Sequence, residues 1–297
     1  MTGPAASDEP AADGLSLGPA ADGRVRLLAS DLDGTLLRSD GTVSDATRDA
    51  LAAAEAAGLV VAFVTGRPPR WLHEVADATG HTGVAIGANG AVTYDLHTER
   101  VLASHPIEVA LLSQVTALLR EAIPGVTFGL EQGLNFAYEP AYRHDWDIVP
   151  AEDRSGRPLP RASVGELADF MDTPAVKLLA KGQGMVADEF MDRVEQVVGD
   201  LVTVTRSGHS PLVEISALGI TKASGLAALA ESRGVRQQEI AAVGDMPNDV
   251  PMLLWAGRSY AVANAHPAAK AAAGEVLAES NDEDAVAWLI HRLLGQG

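Results

Sequence analysis

Two aspartates, Asp31 and Asp33, stand one residue apart in the stretch ASDLDGTLL (29–37), immediately after Val25–Leu28. That position reads as the end of a buried strand, and side chains at i and i+2 of an extended segment point to one face. A carboxylate in low dielectric is costly unless it is paired or bound to a metal. Two of them ~4 Å apart, at an effective dielectric near 20, repel by roughly 4 kcal/mol. A positive group therefore has to stand opposite. Three other stretches offer the partners: Thr65 in VTGR (64–67), Lys222 in ITKAS (220–224), and Asp245 with Asp249 in VGDMPND (243–249). A set of oxygen donors without His or Cys suits a hard cation, and Mg2+ held by few carboxylates usually partners a phosphate.

The elements that must position these residues alternate between strand and helix. Val25–Ser30 is β-compatible, and a helix follows with Ser44 as N-cap and Gly58 as its terminator. Residues 59–66 (LVVAFVTG) form a continuous apolar strand of the kind buried in a parallel sheet. Pro68 and Pro69 open a helix that runs to about Thr79, and 83–90 (GVAIGANG) is a third strand. Late in the chain the rhythm returns. A helix over 221–234 starts at Thr221, a strand covers 239–245, a helix runs from Asn248 to Trp255, and 259–264 is another strand. The last helix is expected to open on Asp282, Glu283 and Asp284 and to close on His291 and Arg292, the order a helix dipole favours. Its apolar positions Val286, Leu289, Ile290 and Leu293 follow the 3.6-residue period.

This pattern predicts an α/β fold: a doubly wound, mainly parallel Rossmann-like sheet with right-handed crossovers. Residues 91–214 have a different texture, with short strands, a helix from about Met185 to Val198, and the aromatic, charged loop YRHDWD (142–147). They read as an inserted α+β cap domain between two parts of the core, 24–90 and 215–297, with residues 1–23 as a disordered tail. Sites of open α/β sheets lie beyond the carboxyl ends of the strands. A cap inserted after the third strand can cover such a site.

Composition narrows the chemistry. The formal net charge of -18 argues against nucleic acid or an anionic membrane as partner. Absence of cysteine removes disulfides, thiolate catalysis and cysteine-ligated metals. No run is apolar and long enough for a transmembrane helix, and the Ala, Gly, Pro and Asp-rich start lacks the basic and apolar regions of a signal peptide. The chain reads as cytoplasmic. No G-x-x-x-x-G-K-[ST] loop is present, which argues against a nucleoside-triphosphate switch.

Taken in order, LLASDLDGTLL, VTGRP, GANGA, VEISALGITKASGL, GDMPNDVPML and SNDEDAVAWL resemble the haloacid dehalogenase superfamily, subclass IIB, in its Cof-type branch. The long interval from Thr65 to Lys222 places the cap between the second and third motifs, the C2 arrangement of that subclass. The resemblance implies a phosphatase with Asp31 as nucleophile, forming an aspartyl phosphate, and Asp33 as general acid and base. It implies Mg2+ held by the Asp31 and Asp245 side chains and the Asp33 backbone carbonyl, with Asp249 acting through a water. Thr65, Gly66, Lys222 and Asn248 would bind or position the substrate phosphate. One departure is Ala223, where the family usually has Gly after the motif lysine.

The expected partner is a small phosphorylated metabolite, with a sugar phosphate as the class the resemblance supplies, and the chain is expected to be a monomer or a homodimer. Two other readings fit the same motifs: a phosphotransferase or phosphomutase acting on sugar phosphates, and a non-catalytic phosphometabolite-binding protein. Arg143, His144, Trp146 and Arg206 are cap residues that could touch a substrate, although a structural or solvated role is the commoner fate of each. Hinges are expected near Asn89–Ala91 and Ser216–Gly219.

Overall fold

The computed structural model describes residues 24–142, 162–208 and 210–295. The expectations placed on residues 1–23 and on Arg143, His144 and Trp146 lie outside these. The first half of the core runs β1 (Leu27–Ser30), α1 (Asp45–Ala56), β2 (Val60–Val64), α2 (Leu72–Thr79), β3 (Val84–Gly87), β4 (Val92–Asp95) and β5 (Arg100–Ser104). Next come α3 (Val109–Ala122), β6 (Thr127–Gln132), β7 (Asn135–Tyr138), β8 (Ser163–Val164), β9 (Lys177–Lys181), α4 (Ala187–Val198), β10 (Val202–Thr205) and β11 (Leu212–Ala217). The chain ends with α5 (Lys222–Ser232), β12 (Ile240–Gly244), α6 (Val250–Trp255), β13 (Arg258–Ala261), α7 (Pro267–Ala272), β14 (Glu275–Val276) and α8 (Ala285–Leu293).

Two sheets result. One has eight strands in the order β14-β13-β12-β1-β2-β3-β4-β5, the other six in the order β10-β11-β9-β6-β7-β8. In the first, β14 to β3 are mutually parallel, whereas β3–β4 and β4–β5 pair antiparallel. The fold is therefore the expected α/β sheet, mainly parallel, accompanied by a second α+β layer. Its central strands are buried along their whole length because helices cover both faces.

Sheet membership differs from the expected boundary at residue 91. Strands β4 and β5 extend the eight-stranded sheet, and the chain passes to the second sheet only after Ser104. The βαβ rhythm of the sequence does not predict this hairpin, because two short antiparallel strands have no helical crossover between them. Strand β11 continues to Ala217, three residues past the expected end of the insertion at 214.

Local capping explains several element starts. Ser44 Oγ accepts from the Thr47 N–H at 3.0 Å to open α1. At α5 a reciprocal pair forms: Ser224 N–H donates to Thr221 Oγ1, and Thr221 N–H donates to Ser224 Oγ. The acids expected in the first turn of the last helix lie elsewhere. A 3-10 turn takes Asn281–Glu283, Asp284 adopts a left-handed conformation, and α8 begins only at Ala285. There Asp284 binds the Arg38 guanidinium (Nη2 to Oδ2, 2.8 Å) and Asp282 accepts from Ser39, so these acids tie the helix start to the loop after β1.

The six-stranded sheet has two unlike faces. One packs Phe128, Leu130, Leu178, Ala180, Val213 and Ile215 against α3 and α4. The other is carried by the alternate residues, and the register puts Glu131 opposite Lys177, Leu179 opposite Glu214, and Glu214 opposite Thr205. Buried charged residues on a sheet face need partners: Lys177 and Glu214 pair with each other, and Glu131, Lys177 and Glu214 each also bind a loop of the eight-stranded sheet.

Candidate active site

Parallel pairing brings the motif residues together. Ser30 is in register with Val243 of β12 on one side and Phe63 of β2 on the other. The residues just past these strands, Asp31, Asp245 and Thr65, therefore emerge side by side at the carboxyl edge of the sheet. Lys222, the first residue of α5, reaches the same place from a helix N-terminus.

The centre is a buried cluster of opposite charges. Lys222 Nζ donates to Asp31 Oδ1 and to Asp249 Oδ1, each at 2.6 Å. Lys222 is 1 % exposed and Asp249 0 %, so both interactions are shielded from water. The other oxygen of Asp249 accepts the backbone N–H groups of Asp245 (3.0 Å) and Met246 (2.9 Å). Asp249 is thus an anchor that fixes the turn carrying Asp245. Thr35 Oγ1 donates to Asp245 Oδ1 at 3.1 Å. Burial alone would lower the lysine's pKa, but the charges of Asp249 and Asp31 more than reverse it, and the group stays an ammonium.

Three carboxylates share that single ammonium, and the imbalance shows in their proton affinities. Burial, with the Asp249 charge next, holds Asp31 well above the ordinary aspartate value in spite of Lys222. The same causes push Asp245 up to about 6. One oxygen from each of Asp31, Asp245 and Asp249 lies within 4.8 Å of the others. A buried, oxygen-only cluster with surplus negative charge is the donor chemistry a hard divalent cation takes, so the residues present fit a metal of the Mg2+ kind.

The two aspartates of the opening pair have separate surroundings. Asp31 is buried against Lys222, whereas the Asp33 side chain is 59 % exposed and gripped by Arg67. Arg67 Nε donates to Asp33 Oδ2 at 2.8 Å, and Nη2 donates to Oδ1 at 2.5 Å. The positive group opposite the pair is therefore two groups, a lysine for one acid and an arginine for the other. The Gly34 that follows has φ +75°, and a Cβ there would lie 2.4 Å from Asp245 Oδ2. Only glycine lets the turn approach that carboxylate.

Thr65 is buried, and its Oγ1 accepts the Arg67 N–H at 3.0 Å. Asn248 Nδ2 donates to Asn89 Oδ1 at 3.1 Å. Asn89 in turn donates to Glu214 Oε2 (2.8 Å) and Thr205 Oγ1 (3.2 Å). Asn89 and Ala88 both have left-handed backbones, φ 56° and 49°. Asparagine tolerates that conformation, whereas for alanine it is strained. Gly66 offers its carbonyl to Lys177 Nζ at 2.5 Å, and Lys177 also donates to Glu214 Oε1 at 2.8 Å. Arg70 pairs with Glu131 through both nitrogens, Nη2 to Oε1 at 2.9 Å.

Asp31, Asp245, Asp249 and Lys222 thus form one cluster. Asp33 stands at its edge with Arg67, and Thr65, Gly66 and Asn248 are tied into a second network that reaches the six-stranded sheet. Arg206, expected as a possible substrate contact, pairs with Asp188 at 2.5 Å. Arg67, Asn89, Lys177 and Glu214 carry more of this network than their sequence context suggested. The available signal was charge at an apolar-strand position, Lys177 in VKLLAKG and Glu214 in LVEIS. At position 223, Ala sits half-buried in the first turn of the capped helix α5.

The profile of the haloacid dehalogenase-like hydrolases matches residues 28–290. Pyridoxal phosphate phosphatase YbhA of Escherichia coli is 30% identical over 271 residues, spanning 90% of this chain and 97% of that protein. The 5-amino-6-(5-phospho-D-ribitylamino)uracil phosphatase YcsE of Bacillus subtilis is 26% identical over 282 residues, spanning 90% and 94%. Among solved structures, the subclass IIB sugar phosphatase BT4131 superposes with a TM-score of 0.75 at 22% identity, covering 92% of this chain and 100% of that one.

Proposed function

Since the chain belongs to the haloacid dehalogenase-like hydrolases, we propose that it is a phosphatase that hydrolyses a small organic phosphate monoester, a sugar phosphate by class, through an aspartyl-phosphate intermediate. The observation that carries this reading is the Asp31–Lys222–Asp249 cluster with Asp245 beside it, buried at the carboxyl edge of a parallel sheet. The phosphatases YbhA and YcsE support the reaction type, since both are similar over nearly their whole length.

In this mechanism an oxygen of Asp31 attacks phosphorus and the bond from phosphorus to the leaving oxygen breaks. Asp33 turns from Arg67, takes a proton from solvent as it loses that partner, and donates this proton to the leaving oxygen. Asp33 then takes a proton from water as the water attacks phosphorus, which breaks the Asp31–phosphorus link and frees inorganic phosphate. Lys222 has three N–H donors, two of which go to Asp31 and Asp249. Its third is available to a phosphoryl oxygen, as are the Thr65 hydroxyl proton and the second N–H of Asn248. Donors fixed before the reaction stabilise the charge that builds on those oxygens. Asp31, Asp245, the Asp33 carbonyl and, at one remove, Asp249 would hold Mg2+, which when bound supplies positive charge against the carboxylates and the phosphoryl group.

Phosphate release tests this reading. Wild type and Asp31→Asn are compared on p-nitrophenyl phosphate and a panel of sugar phosphates, each with Mg2+ and with EDTA. Turnover that needs the metal and disappears in the variant is expected. A folded wild type that releases no phosphate from any of them overturns it. Following isomer formation alongside phosphate release separates hydrolysis from transfer to a second hydroxyl.

A further inference from the structure

The structure assigns to Lys177 and Glu214, which lie on the six-stranded sheet, the role of positioning residues for the phosphate-binding groups Thr65 and Asn248 of the other sheet; this rests on the phosphatase reading above. Both are buried, 2 % and 6 % exposed, on strands β9 and β11. They bind each other, and each also grips one loop of the site.

The first arm runs through a single peptide group. Lys177 Nζ donates to the Gly66 carbonyl, and the N–H of that same peptide is Arg67's. All described peptides are trans, so the carbonyl and the N–H point in opposite directions. With the carbonyl held by Lys177, the Arg67 N–H is aimed at Thr65 Oγ1, to which it donates at 3.0 Å. That bond occupies an acceptor site of the hydroxyl and leaves its proton free to serve as a donor. The lysine thus orients the hydroxyl without touching it.

The second arm starts at Glu214. Its Oε2 accepts from Asn89 Nδ2, which fixes the orientation of the Asn89 carboxamide and turns its Oδ1 to Asn248 Nδ2. Asn248 Oδ1 is buried and has no hydrogen-bond partner among the described residues. A buried unfilled acceptor is unfavourable until a donor arrives, and a hydroxyl on the bound ester can supply one. Glu214 stays ionised: burial would raise its pKa, but the Lys177 charge and the bonds from Lys177, Asn89 and Ser207 hold it below the ordinary glutamate value.

A purely structural role explains less. Two sheets can be joined by apolar packing at no loss of stability, and a buried ion pair is often no better than that. Here the lysine's second bond goes to the peptide next to Thr65, and the glutamate's second bond goes to the partner of Asn248.

The test uses the neutral double variant Lys177→Met with Glu214→Gln, which leaves no unpaired buried charge, alone and combined with Thr65→Val. Affinity for inorganic phosphate is measured by calorimetry in Mg2+, together with melting temperature, hydrogen exchange of the 64–67 amides and p-nitrophenyl phosphate turnover. The double variant is expected to fold, to lose roughly 10- to 100-fold in kcat through misplacement of distant donors, and to bind phosphate about tenfold more weakly. The Arg67 amide should exchange faster. In the Thr65→Val background the same double change should weaken phosphate less, because the part of its effect that runs through Thr65 is already lost while the part that runs through Asn248 remains. A folded double variant within twofold of wild type in phosphate affinity, or one whose loss is the same in both backgrounds, overturns the assignment. If wild type binds phosphate yet turns over no ester, the phosphatase reading falls, and the phosphate cycle still decides this one. If wild type does not bind phosphate, the assignment falls with it.

Discussion

Arg67 holds Asp33 by two parallel bonds, Nε to Oδ2 at 2.8 Å and Nη2 to Oδ1 at 2.5 Å, while Asp31, two residues earlier, is buried against Lys222. The acid pair is thus divided between two cations, and this fits two different tasks. In the proposed mechanism Asp33→Asn removes the proton donor and the later base but leaves Asp31 in place. Such groups contribute about 10²–10⁴-fold. Alkyl phosphates, whose leaving oxygen needs a proton, should lose turnover in that range. With p-nitrophenyl phosphate, whose leaving group departs without one, the variant should give a stoichiometric burst of nitrophenolate and then stall. Stopped-flow absorbance measures this, and equal losses on both substrates without a burst would contradict the division of roles.

Lys222 neutralises part of a cluster of three buried carboxylates. Lys222→Met leaves that charge unpaired, and breaking a buried pair in this way is destabilising by roughly 3–5 kcal/mol. Urea unfolding in EDTA should show that loss. Added Mg2+ should restore part of it, because a ligand that binds only the folded state stabilises it by mass action. A variant within about 1 kcal/mol of wild type would show that the cluster is not held by its lysine.

Gly34 sits at φ +75° with Asp245 Oδ2 where a Cβ would go, 2.4 Å away. Gly34→Ala is expected to lower stability by about 1–3 kcal/mol and to shift Asp245. Mg2+-induced stabilisation should weaken along with turnover. Unchanged melting temperatures with and without Mg2+ would mean that the turn relaxes freely.

His81 is buried beside Phe63, with ring centroids 4.7 Å apart, and burial holds its imidazole below the ordinary histidine value. Below pH ~6.5 the unfolded chain binds a proton that the folded chain resists. Stability contributed by neutral His81 is therefore present above that pH and is lost as the pH falls through it. Urea midpoints of wild type and His81→Phe should diverge between pH 7 and 5, with wild type falling more steeply. Parallel pH profiles would remove His81 from the balance.

The sheet and its site were unequally legible in the sequence. Continuous apolar runs ending in acids or Thr announced β1, β2 and β12, because a strand buried on both faces leaves no polar alternation. Their shared edge follows from parallel pairing, so Asp31, Thr65 and Asp245 could be grouped before any geometry was available. The grip of Arg67 on Asp33 could not, since nothing local distinguishes that arginine from a solvated one. Nor could the link from Lys177 and Glu214 to Gly66 and Asn89, which spans 111 and 125 residues and depends on how the two sheets meet. Lys177 stood in an apolar strand, an inconsistency that physical chemistry resolves only by supplying a partner. The hairpin of β4 and β5 leaves no such mark, because its residues carry no helix between them. Asp282 to Asp284 looked like a helix start, but their partners Arg38 and Ser39 lie on a distant loop.

The most direct test of the account is to look for the phosphoryl group on Asp31. Asp33→Asn enzyme is mixed with p-nitrophenyl phosphate and Mg2+, quenched in acid within a second and digested, and the fragments are weighed by mass spectrometry. The aspartyl-phosphate mechanism predicts one added phosphoryl group on the fragment containing Asp31, absent when Asp31 is also replaced by Asn. Turnover by wild type with no such adduct in the Asp33 variant, or an adduct on another residue, would contradict it.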